Sequence, residues 1–149
     1  MKHFLWLSAI LIGCTTTTSP TENSLDIQHT WLLVSGEKIE GSDTTFTDYT
    51  KDQKVLKIIN DTHFSFIRHD LTKGEDSTKS VFVAGAGSYQ LEGNVYKEHL
   101  EFCSYRPWEG HDFEFELSLA GDTLVQKGIE RIEELNVDQI IIETYVLVP

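Results

Sequence analysis

Between residues 29 and 148, almost every apolar stretch alternates apolar and polar side chains with a period of two. That is the pattern of a strand with one buried and one wet face, whereas an amphipathic helix needs a period near 3.6. Eight such stretches can be read, over about 29–39, 53–60, 62–69, 79–91, 94–104, 112–120, 122–131 and 138–148. Turn-forming residues separate them: Asn60-Asp61, Glu92-Gly93 and Ala120-Gly121-Asp122. Two longer polar loops fall at 71–79 and 104–111, and the segment 131–137 allows a turn of helix. Short strands joined in series by hairpin-length turns predict an all-β fold, an eight-stranded up-and-down antiparallel β-barrel with a small interior.

Alternation also allocates faces. On the third stretch Phe64, Phe66 and Arg68 share one side; on the fifth Tyr96, Glu98, Leu100 and Phe102 do; on the sixth Phe113, Phe115, Leu117 and Leu119 do. These aromatic sides are expected inside, because exposing them would leave a large apolar patch. Arg68 and Glu98 then fall on the inner face, and Tyr89, Tyr96, Gln126, Glu143 and Tyr145 are candidates to join them. A buried charge without a partner costs several kcal/mol, roughly, so Arg68 and Glu98 must either pair or line a wet cavity. The candidate cavity set is therefore Trp31, Phe64, Phe66, Arg68, Tyr89, Tyr96, Glu98, Gln126, Glu143 and Tyr145. An apolar pocket with a few convergent polar groups suits a small ligand; a structural Arg–Glu pair is the plainer alternative.

The N-terminus carries a different signal. A basic start, Met1-Lys2-His3, leads into an apolar run from Phe4 to Ile12 that is too short to span a bilayer, which needs roughly 20 residues. It fits the apolar region of an export signal, and Leu11-Ile12-Gly13-Cys14 resembles the lipobox of bacterial lipoproteins. The resemblance implies cleavage after residue 13 and a lipidated Cys14 that anchors the chain in a membrane, two or more acyl chains being needed for a stable hold. The polar run that follows reads as a tether over 14–27, leaving 28–149 as the barrel domain. Thr15 is not the acidic residue that retains lipoproteins of enteric bacteria in the inner membrane, so the outer membrane is the expected site, with the domain in the periplasm or at the cell surface.

Composition excludes some classes. The chain has net charge −12; without residues 1–13 it keeps eleven basic against 24 acidic side chains, about −13. Nucleic acid is an unsuitable partner for such a surface, since phosphates must be neutralised by Lys and Arg. With Cys14 lipidated, Cys103 is a lone thiol and reads as a small buried hydrophobe. No cofactor motif and no Cys/His pattern of zinc-site spacing is present, and no nucleophile motif suggests an enzyme. His63 and His69 share a face but stand about 20 Å apart at strand rise, too far to share an ion. The small residues of Phe82-Val83-Ala84-Gly85-Ala86-Gly87 predict strand curvature or a bulge.

Several short motifs, in order, carry a family likeness: His29-Thr30-Trp31, Thr62-His63-Phe64, Gly87-Ser88-Tyr89-Gln90-Leu91, Tyr96 through Phe102, and Gly121 through Gly128. Across about 29–145 the chain resembles the lipocalin-like (calycin) domains of lipid-anchored proteins in Bacteroidetes-type bacteria. Such domains commonly carry Gly where His29 stands and a basic residue after the closing aromatic, where Val146 follows Tyr145. The resemblance implies a barrel and ligand binding, with no particular reaction. Two functions stay open: a lipid-tethered binding protein for a small apolar or amphiphilic molecule, or a module that binds another envelope protein or inhibits a hydrolase. The second would act through the loops 73–79 and 105–109, with Tyr105 and Trp108 as aromatic anchors.

Overall fold

The computed structural model describes residues 25–149; Cys14 and the expected export signal lie outside the described residues. Nine strands form one antiparallel sheet: β1 Thr30–Glu40, β2 Asp43–Asp48, β3 Gln53–Ile59, β4 His63–Asp70, β5 Phe82–Glu92, β6 Val95–Cys103, β7 His111–Ala120, β8 Thr123–Ile132 and β9 Val137–Leu147. Each strand from β3 to β9 pairs with the next, and β9 returns to pair with β1 from Trp31↔Leu147 to Ile39↔Ile140, which closes the barrel.

The barrel is eight-stranded in circumference because β2 and β3 lie in line as two halves of one stave. β2 pairs with Ser35–Glu40 of β1, β3 pairs with Thr30–Leu32, and between them the Tyr49 amide donates to the Val34 carbonyl. The break between the halves is built locally. Asp48 Oδ1 accepts hydrogen bonds from the Thr50 amide and hydroxyl, and Asp52 adopts the left-handed conformation at φ 60°. β2 was not expected from the sequence. Its residues Asp43-Thr44-Thr45-Phe46-Thr47-Asp48 are largely exposed and bury no face, so no alternation marks them.

Two further departures alter what faces inward. Glu101 is an extra residue in β6, between the pairs Gly87↔Leu100 and Ala86↔Phe102. The bulge flips the alternation, so Phe102 points out at 62% exposure and Cys103 points in, correcting the expected inward set of Leu100 and Phe102 together. The β5 glycines make this possible: a Cβ at Gly87 would sit 1.8 Å from the His99 carbonyl oxygen. The second departure is at the N-terminus. Ile27 is buried and Leu25 packs on the core, so residues 25–27, expected to belong to the tether, are packed with the barrel.

The two ends of the barrel differ. At one, tight turns at 60–62, 93–94 and 121–122 surround a plug of Ile27, Trp31, Phe64, Tyr96, Leu124 and Tyr145. Trp31 Nε1 donates to the Ile27 carbonyl at 2.9 Å, and the His29 ring stands edge-on to the indole at 5.9 Å. At the other end lie the long loops 71–81 and 104–110, with single 3-10 turns at Arg106–Trp108 and Glu133–Leu135. Asp70 organises the first loop, accepting hydrogen bonds from the Thr72 hydroxyl and the Gly74 and Val81 amides.

Candidate functional site

Between the plug and the loops the barrel holds a cavity of about 530 Å³. Its walls are mainly apolar and aromatic, with Leu33, Val55, Phe66, Leu100, Phe113 and Phe115 among them. Tyr105 and Trp108 stand at the loop end, and Trp108 leans on Phe113 with ring centroids 5.8 Å apart. Trp108 is therefore part of the cavity wall, which corrects its expected place as an exposed anchor.

The floor is polar and is organised by Lys57, which is 3% exposed. Alternation along β3 sends Val55, Lys57 and Ile59 inward together. Lys57 Nζ donates to Glu98 Oε1 at 2.5 Å and to Gln126 Oε1 at 2.6 Å. The same ammonium lies 5.0 Å from the Tyr96 ring centroid, 5.4 Å from Phe64 and 5.9 Å from Tyr145. An ammonium over aromatic faces is attracted by their quadrupoles, an effect that strengthens as water is removed. Because the Gln126 oxygen is engaged by Lys57, its amide nitrogen is left to face Glu143 Oε2, at 3.5 Å. The Tyr145 hydroxyl donates to that same oxygen at 2.6 Å. Glu98, Lys57, Gln126, Glu143 and Tyr145 thus form one continuous chain.

Of the two alternatives left open for Arg68 and Glu98, pairing or lining a cavity, the structure shows the second: both line the cavity and Arg68 does not pair with Glu98. Its Nε donates to Gln53 Oε1 at 2.7 Å, and its guanidinium stacks on Tyr49 at 5.4 Å, on the loop side of the cavity. Lys57 takes that pairing because it lies opposite Phe66, one inward row deeper than the Val55↔Arg68 pair. Tyr49, entering through the break between β2 and β3, packs closely over Gly36: a Cβ there would lie 3.0 Å from its ring.

Of the expected cavity residues, Phe66, Arg68, Glu98, Gln126, Glu143 and Tyr145 line this space. Trp31 belongs to the plug, and Phe64 lies beneath the Lys57 ammonium. Tyr89 packs on Tyr96 at 5.1 Å and donates to the Asn60 carbonyl, at the tight-turn end. Tyr96 is fully buried, and its hydroxyl has no hydrogen-bond partner among the described residues. Burial, reinforced by the Glu98 charge, pushes that phenol far above its ordinary pKa.

Two carboxylates dominate the electrostatics. Burial pushes Glu143 upward, opposed by the charge of Lys57. Glu130, on β8 with Gln139 Nε2 donating to its Oε2, is pushed by burial up to about 7, opposed by that hydrogen bond. Neither forms an ion pair among the described residues; each is held by neutral donors. Lys57, Tyr49 and Glu130 were not singled out in the sequence. For β3 both faces carry a lysine and two aliphatics, Lys54-Leu56-Ile58 against Val55-Lys57-Ile59, and only the pairing with β4 decides between them. Among the described residues no three His, Cys, Asp or Glu side chains gather as a metal site. His99 points outward and bonds Asp112 at 2.7 Å. Comparison with family models, curated protein sequences and solved structures returns no match.

Proposed function

We propose that this chain is a lipid-anchored binding protein of the bacterial cell envelope, of lipocalin-like type, holding a small apolar or amphiphilic molecule in the barrel. The observation that carries the reading is the cavity of about 530 Å³, within the usual range for small-ligand sites and walled by apolar and aromatic side chains. A barrel interior needed only for stability would be filled by side chains, as at the plugged end. The alternative, a protein-binding module, is weakened by the inward position of Trp108, which leaves Tyr105 alone as an exposed aromatic at that loop. The anchor rests on Leu11-Ile12-Gly13-Cys14 and the apolar run before it. Outer-membrane placement rests on Thr15.

Native mass spectrometry of the full chain, challenged with a lipid extract of bacterial envelopes, tests the binding reading. A defined one-to-one adduct is expected. A folded, monodisperse protein that retains nothing refutes it. Membrane fractionation tests the anchor: Cys14→Ala is expected to move the protein to the soluble fraction, and unchanged membrane association refutes lipidation at this residue.

A further inference from the structure

We propose that the ligand of the barrel carries a cationic nitrogen, a protonated amine or amidine, that docks on Glu143 and Glu130 with its apolar body among the aromatic walls. This deepens the binding reading above and rests on it. Three independent observations point the same way.

The first is the charge balance of the cavity. Lys57 and Arg68 face three carboxylates, Glu98, Glu130 and Glu143. With all three ionised the set carries one excess negative charge, which an added cation balances and an added carboxylate would deepen where charges are poorly screened; burial favours the protonated forms of Glu130 and Glu143, and a docked cation opposes it.

The second is which groups are free. Lys57 is already engaged by Glu98 and Gln126, and Arg68 is held at the loop side, its Nε donating to Gln53 and its guanidinium stacked on Tyr49. Glu143 uses only Oε2 towards Tyr145 and Gln126, and Glu130 uses only Oε2 towards Gln139. Their Oε1 atoms have no hydrogen-bond partner among the described residues, so the cavity offers acceptors that want N–H donors.

The third is the wall. Tyr49, Phe66, Trp108, Phe113 and Phe115 present aromatic surface to the space, and aromatic faces attract cations and repel anions. The fold already applies this rule internally, setting the Lys57 ammonium among three rings. A ligand ammonium one step further towards the loops would meet the same chemistry, with Glu143 in place of Glu98.

The test is isothermal titration calorimetry on the full chain at pH 8 with three probes of equal length: octylammonium, octanoate and octan-1-ol. One-to-one binding of octylammonium is expected, at least tenfold tighter than octanoate, which is about 1.4 kcal/mol. Glu143→Gln and Glu130→Gln are each expected to weaken octylammonium at least tenfold while leaving octan-1-ol unchanged. Glu134→Gln, an exposed acid on the same protein, is expected to change nothing. Circular dichroism confirms that each variant is folded. Octanoate or octan-1-ol binding as tightly as octylammonium overturns the cationic ligand and leaves the cavity reading standing. Octylammonium binding that ignores Glu130 and Glu143 but follows Glu134 also overturns it, as adsorption to an acidic surface. If none of the three binds the folded protein, the cavity reading fails and this inference falls with it.

Discussion

Replacing Lys57 by Met is expected to destabilise the protein by about 3–5 kcal/mol, the usual cost of removing one partner from a buried ion pair. The structure sets the size of the effect. Lys57 is 3% and Glu98 8% exposed, so water cannot readily replace the lost ammonium at the Glu98 carboxylate. Gln126 Oε1 loses its donor in the same substitution. The Met side chain fills similar volume and recovers part of the contact with Phe64, Tyr96 and Tyr145 through sulfur–aromatic interactions, so lost packing adds little. For a chain of 149 residues, about 2–4 °C of melting temperature accompanies each kcal/mol, giving a fall of roughly 6–20 °C. Urea unfolding followed by the fluorescence of buried Trp31 measures the change by linear extrapolation. Adding Glu98→Gln to Lys57→Met removes the stranded charge and is expected to restore at least half of the loss. A single-variant loss below about 1 kcal/mol, the scale of a surface pair, or a double variant less stable than the single, would refute the buried-pair account.

Other perturbations read different parts of the fold. Glu130, pushed up to about 7 from the ordinary 4.5, holds its proton more tightly folded than unfolded. Its contribution is therefore fully present at low pH and is lost as pH rises through about 7; Glu130→Gln is expected to stabilise the protein at pH 8 and to change little at pH 4.5, read by thermal melts at both values. Asp70 and Asp48 act in the opposite sense, both held down to about 2, mainly by the hydrogen bonds they accept. Their stabilisation is present above about pH 4 and is lost as pH falls towards 2, so the melting temperature of the parent is expected to peak near pH 5 and decline on both sides. Gly87→Ala places a Cβ 1.8 Å from the His99 carbonyl and is expected to cost more than about 2 kcal/mol by displacing the β6 bulge; a stability within about 0.5 kcal/mol of the parent in urea unfolding would show that the bulge yields freely.

Much of this fold is legible from alternation, because a half-buried strand must alternate and every strand except β2 carries buried residues on its inner face. β2 escapes for the converse reason: Phe46 is its sole large apolar residue and is 64% exposed, so the strand is held by backbone pairing to β1 and by threonine propensity. The Glu101 bulge escapes because period two cannot register an inserted residue. Its only trace is in another strand, where Gly85 and Gly87 stand at the positions that Phe66 and the His99 carbonyl approach. Short-range pattern thus finds strands, while the errors it makes about faces come from contacts across strands.

The site is harder to read because each of its polar members is individually plausible on either face. A lysine in an alternating strand normally belongs to the wet side, and nothing in Gln53–Ile59 marks Lys57 as different from Lys54. What decides between them is a partner 41 residues away, Glu98, and a second 69 residues away, Gln126. Glu98 was recognisable as inward because it lies between Tyr96 and Leu100, and an inward carboxylate demands a cation. That reasoning left Arg68 either to pair with Glu98 or to line a wet cavity with it; both line the cavity, and the buried cation on Glu98 is Lys57. Barrel closure selects Lys57, since the β3–β4 register puts it one row deeper, where its ammonium reaches Glu98 on β6 and Gln126 on β8. Arg68 is thereby released to the cavity's loop side. With Lys57 committed below, the acidic pair Glu130 and Glu143 is left without a cation of its own.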